Sequence, residues 1–256
     1  MHTTTLPPHR PPTLAPAVLA VERMYPSGAS TGWHTHDAGQ LLYATNGVML
    51  VHSEGGAWVV PPHRALWLIA GLRHNVTMSG AVLMRTAYIR AETVPGLPPQ
   101  SCVLNVSPLL RELLVAAVQI TPAPALSGRD AHLIALLLDE VRAAPAMTLH
   151  LPLPRNVRLQ AICHALMNRP SDTTSAAAWA RTLGVGERTL YRLFTQETGM
   201  RFAQWREQAR LLHALRGIAE GRKIIDVALD CGYASPSAFT AMFKRHFGAT
   251  PSSFYL

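Results

Sequence analysis

Charge is scarce in this chain. Asp, Glu, Lys and Arg make up 15% of its 256 residues, and acid is the scarcer sign, 15 Asp+Glu against 23 Lys+Arg. With 48% hydrophobic content beside so little charge, the chain is a folded protein rather than a solvated polyelectrolyte. Cysteine is nearly absent: Cys102, Cys163 and Cys231 lie far apart with no Cys-x-x-Cys pairing. That spacing argues against a disulfide framework or a thiolate zinc site and suits a reducing cytosol. No uncharged apolar run approaches the roughly 20 residues of a membrane span. Met1 to Pro16 is rich in Pro and Thr and lacks the apolar centre of a secretory signal. The expectation is a soluble, cytoplasmic protein with no membrane partner and a disordered segment over 1–16.

The length allows two domains with their own cores. The basic excess is uneven. Of the 23 Lys+Arg and 15 Asp+Glu, 14 and 7 fall in 155–256, leaving 9 and 8 in 1–154. A basic C-terminal part beside a near-neutral N-terminal one suggests that only the former meets a polyanion.

That basic part repeats itself. Ala180 and Gly184 recur as Ala228 and Gly232, an offset of 48, and Leu190, Phe194 and Gly199 recur as Phe239, Phe243 and Gly248, an offset of 49. Each copy reads as a short helix, a glycine turn and a second helix with a polar face, which is a helix-turn-helix. In the first copy Ala176, Trp179, Ala180 and Leu183 have helical spacing, and a second helix starts near Gly186. With Leu190, Leu193 and Phe194 inward, Arg188, Tyr191, Arg192 and Thr195 form one outward stripe, with Thr189 beside it. Arginine pairs bidentately with guanine O6 and N7, so Arg188 and Arg192 are the candidate base readers and Tyr191 an apolar or stacking contact. Phosphate anchoring is the alternative role for both arginines.

In the second copy Ile224, Ile225, Val227 and Ala228 form the supporting helix, and Ser235 caps a helix that Pro236 opens. Phe239, Met242, Phe243 and Phe247 turn inward, leaving Ser237, Thr240, Ala241 and Lys244 outward, followed by Arg245. This stripe is chemically poorer, so it is expected to anchor phosphates through Lys244 and Arg245 while the first helix does most of the reading. The joining segment, about Phe202 to Ala219, is amphipathic, with Trp205, Ala209, Leu212, Leu215 and Ile218 on one side and Arg201, Arg206 and Arg210 available to solvent or phosphate. Its length of about 25 Å suits two reading helices held roughly one turn of B-DNA, about 34 Å, apart.

The run Trp179-Ala-Arg-Thr-Leu-Gly-Val-Gly-Glu-Arg-Thr-Leu-Tyr-Arg-Leu-Phe194 resembles the first half of the AraC/XylS-type DNA-binding domain. Val227-Ala-Leu-Asp-Cys-Gly-Tyr-Ala-Ser-Pro-Ser-Ala-Phe-Thr-Ala-Met-Phe-Lys244, with Phe247-Gly-Ala-Thr-Pro251, is similar to its second half. Two positions depart from the pattern: Gly186 stands where a capping serine is common, and Ala241 where an arginine is often found. The resemblance covers about 155–256. It implies a bacterial transcription regulator that binds double-stranded DNA, contacts RNA polymerase, associates with the nucleoid when bound and carries an N-terminal effector or dimerisation domain.

Residues 17–92 alternate apolar runs with Gly, Asn and Pro turns: Gln40–Ala44, Val48–His52, Trp58–Val60, Ala65–Ile69 and Val82–Ile89. Short strands at this spacing suggest a small antiparallel β-barrel. His34-Thr35-His36 places two imidazoles on one face of a strand. With Gln40 and Gly47 the stretch resembles the cupin motif His-x-His-x3-Glu-x6-Gly, with glutamine in the glutamate's place. Ile69-Ala-Gly71-Leu-Arg-His74 is similar to the second cupin motif, Pro-x-Gly-x-x-His, with isoleucine in the proline's place. His34, His36, Gln40, Tyr43, Trp67 and His74 are the candidate effector pocket, with Trp58 and Tyr88 as further walls. Three neutral imidazoles also suit a divalent transition metal, with the Gln40 amide oxygen a weak fourth ligand.

Residues 93–150 read as a linker followed by two helices, about Pro108–Gln119 and Arg129–Ala143. Leu133, Leu136 and Leu137 of the second offer either a homodimer contact or a face that packs on the barrel. Leu151-Pro-Leu-Pro154 marks a hinge. The fold class is therefore α+β: an N-terminal cupin-like barrel with helices, then an all-α domain of two helix-turn-helix motifs joined by a helix. The reading that follows is a sequence-specific regulator, not an enzyme, modulated by a small-molecule effector. Its rivals are a metal-responsive regulator using the three histidines and a metal-dependent cupin enzyme fused to a DNA-binding domain. Dependence on metal separates both rivals from the first reading, and turnover separates them from each other.

Overall fold

The structure is a computed structural model and describes residues 17–90, 92, 94–123, 125–147 and 149–254. The segment 1–16, expected to be disordered, lies outside the described residues. The strands are β1 (Val18–Tyr25), β2 (Gly39–Ala44), β3 (Val48–Ser53), β4 (Gly56–Val60), β5 (Arg64–Leu68), β6 (His74–Ser79), β7 (Val82–Ile89), β8 (Cys102–Asn105), β9 (Ala146–Met147) and β10 (His150–Pro152). The helices are α1 (Pro108–Ala117), α2 (Gly128–Ala143), α3 (Val157–Asn168), α4 (Ala176–Thr182), α5 (Glu187–Thr198), α6 (Phe202–Ala219), α7 (Ile224–Asp230) and α8 (Pro236–Phe247). They divide into two compact units, Met1–Ser53 with Val60–Leu149, and Glu54–Val59 with His150–Leu256.

The first unit is built on an antiparallel six-stranded sheet of order β1-β7-β2-β5-β8-β9, with β3 and β6 paired antiparallel beside it. The β architecture is thus open sheets rather than a closed barrel. In this unit β1, β6, β8 and β9 join the strands legible in the sequence. Side-chain alternation gives the large sheet two distinct faces. Leu41, Tyr43, Ala65, Trp67, Ala87 and Ile89 share one of them, and α1 and α2 cover it with Leu110, Leu114, Leu133, Leu137 and Val141.

The leucine-rich face of α2, one candidate for a dimer contact, is therefore the inner layer of this unit's own core. Leu137 and Val141 are fully buried there, and each such side chain stabilises the unit by about 1.5–3 kcal/mol. Leu136 points away and is exposed. Two polar contacts fix the helices. Ser107 Oγ caps α1 by accepting from the Leu110 N–H at 3.0 Å and donates to Glu140 of α2 at 2.6 Å.

In the second unit the pair β4–β10 accompanies six helices. α6 is the central helix of this unit. Trp205, Ala209, Leu212 and Leu215 are buried as the spacing predicts, but so are Gln208, Leu211 and Ala214. It is enclosed on more than one side rather than amphipathic in the surface sense. Trp205 donates its indole N–H to the Pro152 carbonyl at 2.6 Å, which satisfies the one polar group of an otherwise apolar side chain. Phe194 of α5 meets both Phe202 and Trp205 edge-on, at centroid distances of 5.2 and 5.7 Å. A second aromatic cluster, Phe239, Phe243, Phe247 and Phe254, fills the lobe around α8.

Candidate DNA-reading helices and histidine pocket

The sequence repeat is a repeat of backbone hydrogen bonds. After α4 the chain turns at Gly184 (φ 68°), the Val185 N–H returning to the Ala180 carbonyl and the Gly184 N–H to Arg181. After α7 it turns at Gly232 (φ 78°), the Tyr233 N–H returning to Ala228 and the Gly232 N–H to Leu229. Both are left-handed caps that glycine adopts without Cβ strain. The helices that follow also end alike, at Gly199 (φ 70°) and Gly248 (φ 72°), whose N–H groups reach Thr195 and Lys244. Ser235 caps α8 by accepting from the Ala238 N–H at 3.2 Å. Gly186 gives α5 no side-chain cap, and Glu187 in its first turn supplies the favourable charge there instead.

The stripes emerge as the periodicity predicts. Leu190, Phe194, Phe239 and Phe243 are fully buried. Arg188, Tyr191, Arg192 and Thr195 of α5 are exposed, and Thr189 is half-buried. Tyr191 donates to Glu187 at 2.9 Å, and Arg192 to Gln196 at 3.1 Å, each along its own helix. On α8, Ser237, Lys244 and Arg245 are exposed, while Thr240 is half-buried. Arg245 forms an ion pair with Glu207 at 2.9 Å, so a phosphate has to compete with that carboxylate for it.

Two arginines expected to face solvent or phosphate do other work. Arg206 donates to the Thr174 carbonyl at 3.0 Å and lies over the Phe202 ring. Arg210 donates to Pro170 at 2.7 Å and to Asp172 at 3.1 Å. Both satisfy carbonyls of the loop before α4 that no helix or strand pairs.

The first unit brings the three histidines together. His34 and His74 form an isolated antiparallel bridge with reciprocal N–H to carbonyl bonds of 2.9 Å. The His36 carbonyl accepts from the Gly71 N–H at 2.8 Å, which ties the two half-motifs to each other. The His-x-His segment is thus extended chain held by one bridge, rather than a strand of a ladder. Ring centroids stand 4.8 Å apart for His34–His36, 4.4 Å for His34–His74 and 5.6 Å for His36–His74.

The tautomers follow from the partners. His34 Nδ1 lies 2.8 Å from the Gly32 carbonyl and His74 Nδ1 2.8 Å from the Leu72 carbonyl. A carbonyl only accepts, so both Nδ1 atoms carry the proton and both Nε2 atoms keep a lone pair. Burial lowers the pKa of His34, and lowers that of His74 to about 4, because an imidazolium is poorly solvated there. Both rings are neutral at physiological pH.

Gln40 shares a small cavity with His34, whereas Tyr43 and Trp67 belong to the core under α1 and α2. In β2 the odd positions Leu41 and Tyr43 face α1 and α2, and Trp67, paired with Leu41, shares that face and donates to the Pro98 carbonyl at 3.0 Å. Gln40 faces the other way and is paired with Tyr88 on β7. It lines a small cavity with Thr31, His34, Val76, Thr86 and Tyr88. Tyr88, whose phenol burial holds well above its ordinary pKa, stands edge-on to His36 at 4.9 Å. Thr31 and Thr86 were not legible as pocket residues: the register of β7 with β2 places Thr86, and Thr31 comes from the segment between β1 and β2. Trp58 lies in the second unit, stacked on His150 at 4.6 Å.

A β unit carrying a histidine cluster, followed by paired helix-turn-helix motifs, is the arrangement of a DNA-binding regulator with a separate N-terminal domain. A family model described as an AraC-like ligand binding domain matches residues 16–153, and one described as a helix-turn-helix domain matches residues 179–255. The HTH-type transcriptional regulator NimR of Escherichia coli is 33% identical over 221 residues, 86% of this chain and 81% of that one. The regulator RipA of Corynebacterium glutamicum is 40% identical over 119 residues, 46% of this chain and 34% of that one. A solved structure of ToxT from Vibrio cholerae covers 94% of this chain and 98% of its own at 11% identity, with a TM-score of 0.39. The chain belongs to the AraC family of DNA-binding transcription regulators. Among the described residues, no helix is long and apolar enough to cross a membrane.

Proposed function

We propose that α5 reads base edges in one segment of major groove while α8 anchors the next, and that a ligand bound beside His34, His36, Gln40 and His74 sets the strength of this binding. The observation that carries the first half is the chemical asymmetry of two geometrically equivalent helices. α5 presents Arg188 in its first turn and Arg192 in mid-helix, whereas α8 presents Ser237 and Ala241 at the corresponding positions and holds its cations, Lys244 and Arg245, in its last turn. Guanidinium groups in the groove discriminate guanine, and a terminal ammonium meets phosphate without regard to sequence. Regulation requires that the ligand bind the two DNA-binding states unequally. A homodimer acting on RNA polymerase in the bacterial cytoplasm completes this reading.

The test starts from duplexes selected by the full chain from a random library. Arg192→Ala should weaken binding to the selected site by about 1–3 kcal/mol and relax preference at one position. Lys244→Ala should weaken all sequences alike and reduce the slope of log affinity against log salt by about one. Equal losses for Arg192→Ala on every sequence would refute the assignment of α5 as the reader.

A further inference from the structure

Resting on α5 as the base reader, we propose that Glu187 is a further reading side chain whose carboxylate accepts from the exocyclic amine of a cytosine, and that the Tyr191 hydroxyl positions it. Three observations converge. First, Glu187 opens α5 and lies in the reading stripe. Glu187, Tyr191 and Thr195 follow one another at i, i+4 along the helix, beside the row Arg188, Arg192 and Gln196, and all six are exposed. In a helix-turn-helix the N-terminal residues of the second helix are those that reach base edges. Second, the carboxylate is not engaged by a cation. Glu207, Glu220 and Asp230 pair with arginines, and Asp172 and Glu197 accept from backbone N–H groups. Among the described residues, Glu187 does neither, and its side-chain partner is Tyr191.

Third, Tyr191 donates to Glu187 Oε1 at 2.9 Å. A carboxylate has about four acceptor sites, so Oε2 stays open to a second donor while the phenol restricts the rotamers of a long side chain. The same bond raises the pKa of Tyr191, which keeps the phenol protonated as the donor. The neighbouring row repeats the device: Gln196 accepts from Arg192 at 3.1 Å and so orients a guanidinium for guanine. Tyr191 is thus a positioning residue rather than an apolar or stacking contact. An exposed carboxylate on a DNA-facing stripe is repelled by every phosphate, so it adds no general affinity. Its effect is discrimination. In the major groove cytosine presents N4–H2, a donor, whereas guanine presents O6 and N7 and thymine presents O4, which are acceptors. The carboxylate bonds the first and repels the others, so much of the preference is a penalty on wrong bases. Adenine, with a donor at N6 beside an acceptor at N7, stands between.

The test selects duplexes from a random library with the full chain and with its Glu187→Ala, Glu187→Gln, Tyr191→Phe and Arg192→Ala variants, then measures affinity for duplexes differing at single positions. The full chain should disfavour guanine and thymine against cytosine by about fivefold or more at one position. Glu187→Ala should abolish that preference there alone, mainly through tighter binding of the guanine and thymine duplexes. Glu187→Gln, whose amide can bond adenine N6 and N7 together, should move the preference to adenine. Tyr191→Phe should weaken the cytosine preference at the same position by about twofold or more, and should add nothing in the Glu187→Ala background. A loss in Glu187→Ala that is equal on every sequence leaves the carboxylate serving the helix N-terminus alone and overturns the proposal. Tyr191→Phe acting as strongly in the Glu187→Ala background overturns the positioning role. Should Glu187→Ala fail to fold, the switch to adenine in Glu187→Gln decides. Arg192→Ala keeps the two failures apart. A preference that moves in Arg192→Ala but in neither Glu187 variant overturns Glu187 and leaves α5 the reader. Preferences that move in none of the three overturn both.

Discussion

Gly184 and Gly232 hold equivalent turns at nearly equal φ, 68° and 78°, yet alanine should cost different amounts at the two positions. Each substitution forces an L residue into the left-handed region, at about 1–2 kcal/mol. Lower entropy of the unfolded chain offsets about 0.4–1 kcal/mol of this. At Gly184 nothing lies within 4 Å of the added Cβ, so this remainder is the whole effect. At Gly232 the Cβ would stand 3.0 Å from Ser171 Cα, 3.3 Å from its carbonyl oxygen and 3.4 Å from its Cβ. Two of those atoms are backbone and yield only if the segment before α4 moves. Overpacking of this kind adds about 1–3 kcal/mol. Gly184→Ala should therefore lose about 1 kcal/mol, and Gly232→Ala about 2–4 kcal/mol. Urea unfolding of the full chain, followed by far-ultraviolet circular dichroism, measures both. Equal losses, or a larger one at Gly184, would refute the packing argument.

Arg210→Ala should lose about 1–3 kcal/mol of stability, because two loop carbonyls lose their donor, while the salt slope of DNA binding stays unchanged. A flattened slope would return Arg210 to the phosphate-contacting set. Burial pushes the thiols of Cys163 and Cys231 up to about 12, so at pH 8 neither should react with a disulfide reagent in the native protein. Fast labelling of all three cysteines would contradict the buried positions of Cys163 and Cys231.

The double helix-turn-helix was legible because its signals are local. A glycine in each turn, Ser235-Pro236 at a helix start and one apolar face per reading helix are all read within a dozen residues. The histidine cluster was legible for a similar reason: each half-motif is short. The pocket walls were not. β2, Gly39–Ala44, is buried on both faces, so hydropathy carries no period-2 signal, and only the polarity of Gln40 marks which side is which. Tyr43 and Trp67 therefore read as pocket residues although they face α1 and α2, and Tyr88 meets Gln40 through a register that spans nearly fifty residues of sequence. Arg206 and Arg210 misled for a different reason. A basic residue on a basic domain reads as a phosphate contact, and the carbonyls that hold these two belong to an irregular loop with no pattern of its own.

In the function proposed above, one chain reads two segments of major groove with helices of unequal chemistry. Hydroxyl-radical footprinting on a selected duplex, combined with guanine N7 methylation interference, tests it most directly. Two protected tracts per bound chain are expected on one face of the duplex, about 10–10.5 base pairs apart, with strong interference at guanines under the α5 tract and little under the α8 tract. A single tract, or guanine interference of equal strength in both, would contradict it.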